Sequence, residues 1–353
     1  MRVALIKQVL DVFGPWSSVR WEDTNAKKLF DIWPSKATYW EMTCLLKADW
    51  YIVTNPQSAS DYIETIRKRP ELLEVVSKYT RDIVEPRDIP FEDYDVVITL
   101  DPVLKVPHGS KTLFAYYMQE HWDRLYTLSL HRPIGNYDLF LAHMLDADPE
   151  LKGLPQALSF PYLYTSEATR SILDVSEKEE AVWADWRVLT MLGMCERWDT
   201  AAEAAAKRLE EVLRLPVRYK GSFDKTRTPL GIADPPSWGD ALRYLEALAH
   251  CKYYIGVGRD SGAGQGLCDA ASVGCICIGS VNRPYHRLVC HPDCLCSDLF
   301  DLPRLVSRVA ASTDLQQEAL AWQEEALRRY FADKPLQLLE KAVALKRQSL
   351  LRR

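Results

Sequence analysis

Apolar and polar positions along the chain fall into two alternating patterns. Short runs rich in β-branched and aromatic residues read as buried strands at residues 3–6, 50–53, 94–100, 112–117, 137–141 and 157–164. Between them lie stretches of helical spacing, the clearest at 59–79, with charges on its open face. The alternation restarts in the second half. Strands are expected at 186–193, 215–219, 252–257 and 275–280. Helices are expected at 200–215, with Thr200 as N-cap, at 238–250, where Leu242, Leu245 and Leu248 recur, and at 266–272. From residue 314 the pattern is helical to the end, interrupted at Asp333-Lys334-Pro335 because Pro335 has no N–H to continue a helix. Strands alternating with helices imply βαβ units around parallel sheets.

The charged segment 174–184 separates the two halves and reads as a solvated linker. The expected organisation is therefore α/β, with two Rossmann-like domains and a helical tail. Residues 1–180 form the first domain and 181–330 the second; 331–353 packs back across the hinge. A length of 353 residues agrees with two domains. A net charge of -5 argues against a general nucleic-acid-wrapping surface, so no nucleic-acid partner is expected. No run approaches the roughly 20 apolar residues of a membrane span, and the start lacks a signal-peptide pattern. Nine cysteines in such a chain point to reduced thiols and a cytoplasmic setting. The chain holds 11 Trp and 17 Tyr against 9 Phe. Aromatics with a polar handle suit both a core with internal hydrogen bonds and the stacking of sugars or bases, core packing being the plainer reading.

The segment between the strands at 252–257 and 275–280 concentrates the chemistry. Gly256, Gly258, Gly262, Gly264 and Gly266 are five of the chain's 15 glycines. A glycine-rich loop feeding a helix lets the backbone approach a ligand and aims free N–H groups and the positive dipole end at it, which suits a phosphate or diphosphate. Asp269 follows about one turn into that helix, where a carboxylate accepts from ribose hydroxyls. The loop lacks the G-x-x-x-x-G-K-[ST] pattern, and its late position argues against a dinucleotide dehydrogenase.

This block, with Cys268-Asp269-Ala270-Ala271-Ser272-Val273-Gly274-Cys275-Ile276-Cys277-Ile278 as its helix and strand, resembles the C-terminal domain of GT-B glycosyltransferases of the E-x7-E type. Ser261 and Asp269 have that spacing. The resemblance implies a metal-independent transferase with no cofactor, using a nucleotide-sugar donor. It implies donor contacts from Asp260, Ser261, Gly262, Gly264, Gln265 and Gly266, with Asp269 on the ribose. Ser261 departs from the family's first acid, and Asp260 beside it is the substitute. Leu192-Gly193-Met194-Cys195-Glu196-Arg197 is similar to the family's glycine–arginine turn, which implies that Arg197 faces the donor phosphates.

In the first half, His121 and then Glu120 follow a strand where such enzymes place a base for the acceptor hydroxyl. Asp101 follows another strand on the same edge, and His143 is a further option. In this architecture the loop after the first strand lines the cleft, so Trp16, Ser17 and Arg20 are expected to contact the acceptor. That acceptor is a glycan, a lipid-linked species or another hydroxyl compound, as in polysaccharide or glycoconjugate assembly. Lys341, Lys346, Arg347, Arg352 and Arg353 make the tail basic; a solvated helix end is the plainer reading, peripheral contact with the inner face of a membrane the other.

Two short patterns resemble metal sites, and each has a plainer reading. Asp146-Ala147-Asp148 has a D-x-D form but runs into Pro149, a plain turn. Cys275, Cys277, His286, Cys290, His291, Cys294 and Cys296 lack a C-x-x-C pair, and buried thiols fit them better than zinc. A nonenzymatic nucleotide- or sugar-binding protein on the same scaffold, or another α/β nucleotide-dependent enzyme, is the alternative function.

Overall fold

A computed structural model of the chain describes residues 1–9, 21–23, 40–54, 89–100, 109–118, 137–142, 156–173, 177–185, 198–219, 241–257 and 264–351. Elements are numbered in chain order among these residues. The chain divides into two compact units: Met1–Leu163 with Asp333–Arg353, and Tyr164–Ala332. Among the described residues, no helix is long and apolar enough to cross a membrane.

The first unit holds β1 (Val3–Val9), α1 (Trp40–Leu46), β2 (Asp49–Thr54), β3 (Val96–Thr99), β4 (Leu113–Met118), β5 (Leu139–Ala142) and β6 (Ala157–Ser159). The six strands form one sheet in the order β2-β1-β3-β4-β5-β6, and every pairing is parallel. Such strands are apolar on both faces, because parallel sheets are covered on both sides. Val96, Val97 and Ile98 are each fully buried. Leu100, the residue after β3, is also buried and donates its amide to Ile6 O at 2.9 Å.

The second unit holds α2 (Ser166–Ser171), β7 (Glu179–Ala184), α3 (Trp198–Leu213), β8 (Val217–Arg218), α4 (Ala241–Ala249), β9 (Cys251–Ile255), α5 (Gln265–Ser272), β10 (Ile276–Ser280), α6 (Pro284–Val289), β11 (Leu295–Cys296), α7 (Leu302–Ala311) and α8 (Thr313–Ala326). Its sheet runs β11-β10-β9-β7-β8, again all parallel. The two sheets thus share one winding scheme. In each, the first strand lies between the second and the third, so the connections reverse direction beside it. The core packs Val182, Ala184, Ile255, Ile276 and Ile278 of the sheet against Leu209 of α3 and Leu305 and Val309 of α7. Gln323 of α8 is buried; its amide donates to Cys275 O at 2.7 Å and accepts from Cys277 N at 2.9 Å. It docks α8 on the entry to β10 as a partial strand would.

Three local expectations need correction. The charged segment expected to be a linker contains β7. Its charges are not merely solvated: Glu179 pairs with Arg218 of β8, Glu180 pairs with Lys252 of β9, and Lys178 Nζ donates to Ala249 O at 2.8 Å. The helix expected to begin after a Thr200 cap begins at Trp198, so Thr200 lies in its first turn. The tail does not break at Pro335. A π-helical turn, Leu327–Asp333, leads without a break into α9 (Lys334–Leu351), and Pro335 is the second residue of α9, just after the wider turn. Phe331 O stands four residues before that proline and accepts instead from the Tyr164 amide at 3.0 Å.

The basic tail is partly spent inside the first unit, where α9 packs on β4. Lys346 Nζ donates to Asp138 at 2.6 Å and to Thr112 O, and Arg347 pairs with Asp95. Neither charge is simply a solvated helix end.

A tight approach locks α6 onto the sheet. A β-carbon added at Gly279 would stand 2.7 Å from Cys290 Sγ and 2.9 Å from His286 Cβ. Both neighbours are buried and hemmed in. Gly279→Ala is therefore expected to destabilise the second unit by about 1–3 kcal/mol, as overpacking does. Thermal denaturation checks this; an unchanged midpoint would mean that α6 yields freely.

Candidate functional site

In open α/β sheets, ligands bind beyond the C-terminal strand ends, where neighbouring connections diverge. In the second unit that point lies between β7 and β9. Asp185 is the first residue past β7, and its amide donates to Ile255 O at 2.9 Å, so the sheet register fixes it at the edge. Gly256 and Val257 follow β9, and Gly256 donates to Ile278 O at 3.0 Å. A β-carbon at Gly256 would meet Tyr254 Cε1 at 2.8 Å and His286 Cε1 at 3.3 Å. Only a bare backbone fits there.

The helix α5 starts above this edge. Its cap, Gly264, has φ +77°, a left-handed conformation that L side chains adopt only under strain. No side chain caps the helix start at that residue. Gly264, Gln265 and Gly266 are partly exposed, whereas Leu267 to Ser272 are buried. The helix therefore exposes only its first turn, where the positive dipole end lies. A β-carbon at Gly266 would stand 3.3 Å from the Tyr254 hydroxyl, 3.7 Å from the Tyr244 hydroxyl and 4.0 Å from Asp185 Oδ2.

Tyr254, Tyr244 and Asp185 border this turn, and Asp269, further along α5, is bonded by Tyr164. The Tyr254 hydroxyl donates to Asp185 Oδ2 at 2.9 Å. Burial, then the Asp185 charge, push the Tyr254 pKa well above its ordinary value. Tyr244 is raised by burial and then by the charges of Asp269 and Asp185, and its hydroxyl bonds to Asp269. The Tyr164 hydroxyl donates to Asp269 Oδ1 at 2.8 Å and also meets Thr169 and Ser272. All three phenols stay protonated and act as donors to the carboxylates.

The sequence-derived donor residues divide accordingly. Gly264, Gln265 and Gly266 lie at the exposed first turn of α5. Asp269 lies in the interior, 1% exposed, its carboxylate turned to Tyr164 and Tyr244. Its carboxylate is therefore engaged by two phenols in the core. Arg197, Asp260, Ser261 and Gly262 fall outside the described residues. So do His121, Glu120, Asp101 and His143 of the catalytic set, and Trp16, Ser17 and Arg20 of the acceptor set. Asp185, Tyr254 and Tyr244 were not anticipated. An apolar run ending in a lone acid, Ala181-Val182-Trp183-Ala184-Asp185, was the available signal. The strand expected at 186–193 lies outside the described residues, as does the helix expected at 59–79.

The cysteines behave as core thiols. Among the described residues all are free and buried, and no group of three His, Cys, Asp or Glu is placed to hold a metal ion. Burial raises the Cys275 and Cys294 thiols to about 12. His286 Nδ1 accepts from Ser280 N at 3.0 Å, which ties α6 to the end of β10.

No family model matches the chain, and no curated protein matches it. Among solved structures it aligns with T4 phage BGT in complex with UDP and Mn2+, at 12% identity over 97% of this chain and 99% of that one, TM-score 0.43. It also aligns with Anabaena Alr3699/HepE in complex with UDP and glucose, at 12% identity over 98% and 100%, TM-score 0.49. A third is a glycosyltransferase from Rickettsia africae ESF-5, at 9% identity over 99% of each chain, TM-score 0.44. Each is a similarity of chain architecture at 9–12% identity.

Proposed function

We propose that the chain is a GT-B glycosyltransferase that moves a sugar from a nucleotide-activated donor to a hydroxyl acceptor. One observation carries the reading: the reversal point of the second sheet is roofed by a glycine-started helix that exposes only its first turn. That turn aims the positive end of the helix dipole at an anion, and a carboxylate beside it is of the kind that accepts hydrogen bonds from hydroxyls. A nucleoside diphosphate carries both features. The leaving nucleotide's charge is stabilised by these preorganised dipoles and by Arg197. Neither needs a metal ion. His121, supported by Glu120 or Asp101, takes the acceptor proton. Trp16, Ser17 and Arg20 hold the acceptor, a glycan or lipid-linked compound of surface polysaccharide or glycoconjugate assembly. The setting is cytoplasmic, at or near the inner face of the membrane.

The test is a thermal-shift screen with UDP, GDP, CMP and dTDP, followed by an assay for nucleotide released from the matching sugar donors. One nucleotide class is expected to raise the midpoint. At a hundred times Kd the stabilisation is about 2.7 kcal/mol. Release of that nucleotide in the presence of acceptor supports transfer. Binding without release across all donors and acceptors would assign a binding protein instead.

A further inference from the structure

We infer that Tyr164 and Arg170 are positioning residues for the donor site: they grip α5 from its side and from its far end, and so set where its exposed first turn stands. This rests on the donor-site reading above and specifies what holds that site in place.

A helix of eight residues does not hold itself in place. Isolated helices shorter than about 12–15 residues are marginal, so α5 takes its position from its packing. The segment 164–170 grips it twice. The Tyr164 amide is fixed by Phe331 O at 3.0 Å, and its buried hydroxyl donates to Asp269 Oδ1 at 2.8 Å and meets the Ser272 hydroxyl at 3.0 Å. Further on, in α2, Arg170 Nε donates to Ser272 O at 2.8 Å. Ser272 is the last residue of α5, where carbonyls lack helical partners and a cation suits the dipole. The Arg170 guanidinium also pairs with Glu324 of α8, and α8 is docked on the entry to β10 by Gln323. The grip is thus anchored to the sheet.

The grip reaches the first turn through the helix. Gly266 and Asp269 are three residues apart and share one face of α5. The Tyr244 hydroxyl bonds to Asp269, and a β-carbon at Gly266 would stand 3.7 Å from it. The Tyr254 hydroxyl lies 3.3 Å from the same point. The first turn therefore rests on two phenols, and a slide or roll of α5 lifts it from them. The pull of a helix dipole on an anion falls off within a turn. Affinity for a phosphate-bearing ligand then depends on where that turn stands, as any site depends on the shell that supports it. The Tyr164 side chain is fully buried, and Arg170 works at the opposite end of α5 from the exposed turn, so neither touches the ligand.

The test titrates whichever of UDP, GDP, CMP and dTDP the wild type binds into the full chain by calorimetry, well below the unfolding midpoint of each variant. Tyr164→Phe removes the hydroxyl and keeps the ring; affinity is expected to fall about fivefold, the worth of one hydrogen bond. Arg170→Ala is expected to weaken binding about threefold, and Arg170→Lys, which keeps a donor and a charge at the helix end, to restore most of it. The Arg170 side chain is 51% exposed, so its variants are expected to fold, and they carry the test if Tyr164→Phe does not. A merely structural role would lower the midpoints of Tyr164→Phe and Arg170→Ala and leave the affinity of the folded chain at the wild-type value. That result overturns the inference and leaves the donor site standing. A wild type that binds none of the four nucleotides overturns the proposed function itself, and the inference with it.

Discussion

Asp269→Ala is expected to lower the stability of the second unit by about 2–5 kcal/mol, well before any effect on a ligand can be read. Placed on the donor ribose, as the sequence resemblance implies, Asp269 would instead be a residue whose loss weakens nucleotide binding and spares the fold. The structure reverses the emphasis. The carboxylate accepts from Tyr164 at 2.8 Å and bonds Tyr244, and the Tyr164 side chain is fully buried. Alanine removes the charged acceptor that both phenols share and leaves a small cavity; Tyr164 keeps the Thr169 and Ser272 hydroxyls at 2.7 and 3.0 Å. Asp269→Asn keeps an acceptor and should cost less than half as much. Urea denaturation of both variants checks this. Tyr164→Phe combined with Asp269→Ala should lose less than the sum of the two single changes, because they share one bond. A full sum would mean that the pair is not coupled as drawn.

Alkaline unfolding is the second large effect. The thiols of Cys44, Cys275 and Cys294 are raised by burial from 9.0 to about 12, and those of Cys251 and Cys296 to about 11. Tyr164, Tyr244 and Tyr254 are raised well above 10.0. Below pH 9 these groups are protonated in both states and stability is fully present. Above it the unfolded chain loses protons that the folded chain keeps, so unfolding becomes easier as pH rises. Each thiol contributes up to about 1.4 kcal/mol per pH unit until its folded pKa is reached. With a total stability of about 5–15 kcal/mol, cooperative unfolding is expected between about pH 9.5 and 11. The urea midpoint followed by circular dichroism should be level to about pH 8.5 and fall steeply beyond it. A midpoint constant from pH 8 to 11 would contradict the burial of the thiols as ionisable groups.

The strands were legible because parallel strands need apolar residues on both faces. The runs at 3–6, 50–53 and 112–117 map onto β1, β2 and β4 within a few residues. The strand β7 was not legible. Its first residues are Glu179 and Glu180, whose partners Arg218 and Lys252 lie on neighbouring strands far along the chain. Local composition marks such a segment as solvated; only pairing across the sheet shows otherwise. The helical tail was visible, but its continuity through Leu327–Asp333 was not. A proline predicts a lost hydrogen bond, and it does not say that a wider helical turn will absorb it.

The site shows the same division. Glycine spacing alone located the exposed turn at Gly264–Gly266, because close backbone approach and a left-handed cap are properties of the residue type. A carboxylate is different: isolated in a sequence it reads as exposed, since burying an unpaired charge is costly. Asp269 is buried because Tyr164, 105 residues earlier, brings a hydroxyl to it. Asp185 stays at the surface because the strand ends there. By itself the sequence determined the α/β class, the parallel sheets and the glycine-rich helix entry, all set by local pattern and backbone freedom. Only the tertiary structure decided which carboxylate faces solvent, because that depends on donors supplied by distant segments.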